Sequence, residues 1–285
     1  MTDTAFEART GTGTLTGFQH GEGPALLLLH GGPGLSDYMD MLSPEVNGWH
    51  SIHYQQRGLA PSSVDGPFTV EQHAADAISV LDTCGVGRAV ILGHSWGAHL
   101  ALHLAVAHPD RVTGLVLVDG LGVIGDGGAA ELGQALVGRL SPDAFSLLAE
   151  IAGRLAGPQA GDADATEQTR LLWPGYFADP AHAPPWPAHM RVSLAGYGGT
   201  FRSVTDHLAG GFAQALRSIS VPAVFVLGGQ SPMPLSQGEE TAALFPSAEV
   251  QVIAAAGHLP WHEQPGCVAE ALARLRTLTG EMPAA

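Results

Sequence analysis

The feature that most restricts how this chain can fold is Gly93-His-Ser-Trp-Gly97, which sits between the β-rich run Arg88–Leu92 and an Ala/Leu-rich helical stretch stopped by His108-Pro109. A Ser with Gly two residues to either side, on a turn from strand to helix, forms a nucleophile elbow. The turn is strained, and glycines let its two backbones approach. The alternative is a tight turn with an incidental Ser, and the pattern taken alone is common. A strand pattern directly before it and a helix pattern directly after favour the elbow. Ser95 then stands at the carboxyl edge of a sheet, at the positive end of a helix dipole.

Strand and helix patterns alternate on both sides. Ala25–Leu29 is a continuous apolar run entering a Gly/Pro loop, and Trp49–Tyr54 reads as another strand. Thr69 and Gln72 form a capping box ahead of Val70, Ala74, Ala77, Ile78 and Leu81, a helix closed by Gly85. Leu115–Val118 is a buried strand ending at Asp119-Gly120. From Gly122 to Ile219 the pattern changes to helical stretches (Ala129–Leu140, Pro142–Leu155), a loose loop over 157–168 and a Pro- and aromatic-rich passage. Alternation resumes with the strand Ala223–Leu227, a helix near Glu239–Leu244 and the strand Glu249–Ile253. A last helix carries Val268, Leu272, Leu275 and Leu278 on one face, with Gly280 beyond its end. The predicted fold class is α/β, a doubly wound, mostly parallel sheet. Its core is drawn from 1–121 and 220–285, and 122–219 is a helical, aromatic-rich cap.

Composition narrows the partners. The chain of 285 residues is 45% hydrophobic and 14% charged, against about 25% charged in an average soluble protein. Asp and Glu number 27 against 12 basic residues, giving a formal charge of −15, and every basic residue is Arg. The absence of Lys excludes Schiff-base catalysis by the chain's own Lys and the GK[ST] phosphate loop. So acidic a chain is not expected to bind nucleic acid. Its apolar runs fall far short of the ~20 residues that span a bilayer, so no membrane residence is expected. Residues 1–24 show no export pattern, and Cys84 and Cys267 are too few for a disulfide framework. The expectation is a soluble, cytoplasmic protein handling neutral or apolar molecules.

His30-Gly-Gly-Pro-Gly34 adds to the elbow. An oxyanion hole needs two backbone N–H donors aimed at the developing negative charge. Trp96, directly after the nucleophile, supplies one; Gly32 is the candidate for the second, since Pro33 has no N–H. With HGGPG at 30–34, Arg57-Gly58, GHSWG at 93–97 and Gly257-His258 in this order, the chain resembles the α/β-hydrolase superfamily, and within it the proline-iminopeptidase-like branch. The resemblance covers nearly the whole chain. It implies Ser95 as nucleophile, His258 as base, and Gly32 and Trp96 as oxyanion donors. Position supports His258 too: of the 14 histidines it alone follows a C-terminal strand through a small-residue loop, with His262 a weaker rival. His99 and His103 have a helical i,i+4 spacing open to zinc, but without a companion carboxylate motif a packed pair is the better reading.

The pattern breaks at the third catalytic residue, which holds the His tautomer. The superfamily usually places an acid a few residues after the strand at 223–227, but Gly228–Gly238 holds no carboxylate. Asp119, at the end of the preceding strand and on the same sheet edge as Ser95, is the expected acid, with Asp126 as runner-up. Some lipases, haloalkane dehalogenases and macrolactone hydrolases of the superfamily place it so. Gln55 stands where relatives usually have an Asp. No Trp-Glu pair is present to anchor a substrate ammonium, because Pro174 follows Trp173.

The cap gathers Trp173, Tyr176, Phe177, Trp186, Tyr197, Phe201 and Phe212 within 168–212, along with Met190 and five prolines. Part of this set is the cap's own core. The rest, with His30 and His94, is expected to line an apolar substrate pocket. The expected activity is hydrolysis of a neutral hydrophobic or aromatic ester or lactone by a Ser95–His258–Asp119 triad, with a macrolactone such as zearalenone as the narrower analogy. No metal or other cofactor is expected. The alternatives are an aminopeptidase acting on N-terminal Pro and a ligand-binding receptor on a hydrolase fold. Haloalkane dehalogenase and epoxide hydrolase chemistry would require a carboxylate at position 95.

Overall fold

The computed structural model describes residues 3–280, so the extreme ends of the two predicted core segments, 1–2 and 281–285, lie outside the described residues. The strands are β1 (Thr4–Thr10), β2 (Gly13–His20), β3 (Ala25–Leu29), β4 (His50–Tyr54), β5 (Ala89–His94), β6 (Val112–Val118), β7 (Ala223–Gly228) and β8 (Ala248–Ile253). They form one sheet in the order β1-β2-β4-β3-β5-β6-β7-β8. β1, β2 and β4 pair antiparallel, and every neighbour from β4 across to β8 is parallel.

The helices are α1 (Val70–Thr83), α2 (Trp96–Ala107), α3 (Ala129–Gly138), α4 (Pro142–Leu155), α5 (Asp162–Leu172), α6 (Leu194–Ala209), α7 (Phe212–Leu216), α8 (Leu235–Ala242), α9 (Pro260–Glu263) and α10 (Cys267–Thr279). Alternate strand residues enter two apolar layers, as the two-residue period of a strand requires. Leu27, Leu29, Ile91, Leu115 and Leu117 pack with α1 and α2 on one face. Leu26, Leu28, Val90, Leu92, Val116 and Val118 pack with α10 on the other. Helices on both faces explain why these strands read as unbroken apolar runs. Each fully buried Leu contributes about 2 kcal/mol.

Local signals act as expected at several places. The Thr69 hydroxyl accepts the Gln72 N–H at 3.2 Å and starts α1, and Gly280 closes α10 at a φ of 74°. Three elements differ from expectation. The polar first 24 residues, which no apolar run marks, form the β1–β2 hairpin, where only Ala8 and Leu15 are buried. The helix expected near Glu239–Leu244 begins four residues earlier, at Leu235. The predicted loop 157–168 contains the first two turns of α5. Asp162 and Asp164 sit in the first turn of α5, where its dipole favours negative charge.

Between β6 and β7 the described chain runs through α3–α7. Its contacts reach the loops at the carboxyl edge of the sheet. Ser193 N–H donates to Gly34 O at 2.7 Å, and Leu35 bridges Val192 in the loop after β3. No helix of the described residues is long and apolar enough to cross a membrane.

Candidate active site

Ser95 occupies the single step between the last residue of β5 and the first of α2, with φ 55° and ψ −120°. Asp119, directly after β6, has φ 45°. Among the described residues these are the two non-glycine positions at positive φ, a conformation that costs on the order of 1–3 kcal/mol and tends to collect at functional sites. The elbow holds because its neighbours have no side chains. A Cβ on Gly93 would lie 2.3 Å from Gly97 O, and one on Gly97 only 2.0 Å from Leu29 O. Ser95 N–H donates to Val118 O at 2.9 Å, continuing the β5–β6 ladder through the turn.

Asp119 is 3% exposed and His258 4%, and Asp119 Oδ2 accepts the His258 Nδ1–H at 2.6 Å. Two further donors hold the carboxylate: Gly228 N–H on Oδ1 at 3.0 Å and the Ser231 hydroxyl on Oδ2. With its Nδ1 proton so committed, His258 keeps the Nε2 lone pair free, the arrangement a general base requires. The runner-up acid Asp126 instead caps α3, accepting Gly128 N–H at 3.0 Å and Ala130 N–H at 2.9 Å. His262 places Nε2 3.2 Å from Met41 Sδ.

The loop after β3 is fixed from behind. His30 donates from Nδ1 to Gly31 O at 2.8 Å and accepts Gln56 N–H on Nε2 at 3.0 Å. Burial lowers its pKa to about 4 and keeps it neutral. Gln56 also accepts the Trp96 indole N–H at 2.9 Å, tying this loop to the elbow. Tyr38 OH accepts Gly31 N–H at 2.9 Å and donates to His94 Nδ1, and His94 Nε2–H donates to His258 O at 2.7 Å. Burial drives the His94 pKa well down, so this neutral imidazole links the Gly31 loop, the elbow and the His258 loop through four residues.

The segment between β6 and β7 borders the site on the other side. His258 N–H donates to Tyr176 O at 2.7 Å, and the Tyr176 ring lies 5.2 Å from the His258 ring. Glu263 accepts Gly257 N–H at 2.6 Å and Ala178 N–H at 2.9 Å. Arg139 donates to Gly175 O, Phe177 O and Gln230 O, clamping the cap to the loop after β7. A Cβ on Gly257 would meet Tyr176 O at 2.4 Å.

Ser95 and His258 open into a cavity of about 300 Å³ whose wall includes Gly32 and Trp96. The α3 residues Ala129, Leu132, Gly133 and Leu136 and the α5 residues Ala165, Gln168, Thr169 and Leu172 face it at i, i+3, i+4, i+7 spacing. Of the expected pocket residues, Trp173, Tyr176, Trp186, Tyr197 and Phe201 reach the wall. Four others do not. His30 and His94 sit behind the loops they hydrogen-bond, and Phe177 and Met190, 2% and 0% exposed, belong to the core between cap and sheet. Phe212 stacks on His103 at 3.6 Å, while His103 Nε2 contacts His99 Nε2 at 3.2 Å, so both histidines are packed core groups. Ser231, Tyr38, Gln56, Arg139 and Glu263 are participants beyond those singled out from sequence. Of these, Ser231 carried a positional signal, because it lies in the stretch that lacks the usual acid.

A half-buried Ser on a strained elbow, a buried imidazole bound to a carboxylate, and a cavity beside them form a site equipped for hydrolysis. The sequence profile of the alpha/beta hydrolase family matches residues 26–271, and the chain belongs to that family. It is 26% identical to epoxide hydrolase A of Mycobacterium tuberculosis over 90% of this chain and 91% of that one. It is 34% identical to epoxide hydrolase B of the same organism, over 36% of this chain and only 32% of the relative's length. Two solved structures share the fold. The enol-lactonase from Burkholderia xenovorans LB400 has a TM-score of 0.65 and 20% identity over 95% of this chain and 100% of that one. The proline iminopeptidase of Mycobacterium smegmatis has a TM-score of 0.66 and 18% identity, covering 97% of this chain and 98% of that one.

Proposed function

We propose that this hydrolase cleaves the ester or lactone bond of a neutral, hydrophobic or aromatic substrate through an acyl-enzyme on Ser95. The observation that carries the reading is the composition of the cavity wall: no Asp, Glu or Arg stands among its described residues, and aromatic and aliphatic side chains surround Ser95 and His258. A charged substrate would leave its charge desolvated and unpaired there, at a cost of several kcal/mol. That argues against an N-terminal ammonium, and hence against prolyl peptides. The epoxide hydrolase names of the relatives do not carry over, because position 95 is a Ser.

Ser95 Oγ attacks the carbonyl carbon while His258 Nε2 takes its proton, and Asp119 stabilises the imidazolium through Nδ1–H. The backbone N–H groups of Gly32 and Trp96 hold the oxyanion. Collapse expels the alkoxide, which His258 protonates. Water, deprotonated by the same imidazole, then releases the acid. An alkoxide leaves more readily than an amine, which favours esters over peptides. In a lactone the freed alcohol stays tethered to the acyl group, so water must capture the acyl-enzyme before the ring recloses. A macrolactone of the resorcylic type, such as zearalenone, is the narrower reading, for an uncharged aromatic ring matches the apolar, aromatic wall.

The test is a panel of p-nitrophenyl esters, aromatic macrolactones and a prolyl-arylamide, with fluorophosphonate labelling of Ser95. Multiple turnover of esters or lactones and stoichiometric labelling of Ser95 are expected. Cleavage of the arylamide without the esters would replace this reading with the aminopeptidase. Ligand binding with no turnover of any member would replace it with a receptor.

A further inference from the structure

We infer that Ser231 is a positioning residue for the proton relay: its hydroxyl holds Asp119 Oδ2 on the line to His258. The inference rests on the roles of Ser95, His258 and Asp119 proposed above.

Oδ2 of Asp119 takes two donors, the His258 Nδ1–H at 2.6 Å and the Ser231 hydroxyl. The direction of the second bond is settled by the inventory of a hydroxyl, which has one proton. Ser231 Oγ already accepts Met233 N–H at 3.0 Å, and an ionised carboxylate can only accept, so the proton points at Asp119. The loop presenting it is pinned on both sides. Ser231 N–H donates to Gly228 O at 3.2 Å, and Gln230 N–H donates to Ala256 O at 2.9 Å, two residues before His258. Position 231 lies three residues beyond β7, in the stretch that holds no carboxylate. The acid directly follows β6, and a hydrogen-bond donor aimed at that acid occupies the loop after β7.

A donor on Oδ2 draws negative charge from the oxygen that faces the imidazole. Without it the carboxylate is more basic and holds a proton on His258 more tightly. Both effects raise the pH below which the base is lost. The other titratable groups near His258 are the His94 ring at 4.7 Å, Tyr176 at 5.2 Å, and His262 and Glu263 on α9. None of them hydrogen-bonds Ser231, so a Ser231 variant leaves them in place.

The experiment compares wild type with Ser231→Ala, Ser231→Thr and Asp119→Asn, following kcat/KM for an activated aryl ester against pH and the His258 ring by NMR titration. In Ser231→Ala the acid limb and the His258 titration are expected to move up by about half to one pH unit, with a several-fold loss of turnover at pH 6. Ser231→Thr keeps a hydroxyl and restores both. Two results overturn the inference: unmoved titration in Ser231→Ala, whatever its kcat, or a fully folded Ser231→Thr displaced as far as the Ala variant. An unmoved Ser231→Ala beside a dead Asp119→Asn removes the role of Ser231 alone, whereas wild-type rates in Asp119→Asn remove the underlying reading.

Discussion

Asp119 is bound on both carboxylate oxygens, and replacing it by Asn changes little in volume but turns one acceptor into a donor facing His258 Nδ1–H. The imidazole then adopts the other tautomer or turns away, and the proposed mechanism loses Nε2 as the base for Ser95. Asp119→Asn is expected to fold with an unchanged melting temperature, within a few degrees, and to lose about three to four orders of magnitude in kcat. Steady-state ester hydrolysis and a thermal melt check both halves. That this residue stands beside His258 could be expected from two facts read together, an empty stretch at 228–238 and an Asp ending the strand beside the elbow. The positions of Ser95, His258 and Asp119 were legible because backbone geometry fixes where such residues stand. His30, His94, Phe177 and Met190 were misplaced by one layer, because sequence shows that a side chain is apolar or titratable but not which side of a loop it faces.

Among the elements, α1 is joined to the loop after β4 by a buried bidentate pair. Arg57 Nε and Nη2 reach Asp76 Oδ2 and Oδ1 at 2.5 and 2.7 Å, with both side chains at most 1% exposed. Gln72 adds a bond to Asp76 at 2.9 Å, and Thr12 one to Arg57 at 3.0 Å. Removing one partner strands the other charge in a dry interior. Asp76→Ala is expected to cost about 3–5 kcal/mol in urea unfolding; a loss below about 1 kcal/mol would show that water reaches the guanidinium. The parallel strands and α1, α2 and α10 were legible from apolar runs and caps, since each packs against other protein. α5 was not, because its inner face lines the cavity with Ala165, Gln168 and Thr169 before Leu172. A helix whose inner face borders a cavity need not carry the apolar stripe by which buried helices are recognised.

For the molecule as a whole, the unusual titration is that of its interior histidines. Burial lowers His30, His53 and His99 to about 4 and His73 to about 3. In the unfolded chain these groups take up protons near pH 6.5. Between those limits these four groups bind more protons in the unfolded state than in the folded one, so their share of the stability rises with pH across that window, outweighing the opposite contribution of the single Asp37, which burial raises to about 7. The melting temperature is expected to be flat above pH 7 and to fall steadily from pH 6.5 toward 4. A melting temperature unchanged from pH 7 to 5 would contradict the neutral burial of these rings.

The contact between cap and base carries a consequence of another kind. Tyr176 O receives the His258 N–H at 2.7 Å, and Glu263 grips Gly257 and Ala178 together. A cap that lifts far enough to part these groups also releases the backbone that sets the imidazole, and Arg139 would pull on the loop after β7 as it went. The backbone on either side of His258 and the stretch 176–178 are thus tied into one hydrogen-bonded unit, so a substitution that loosens either is felt by both.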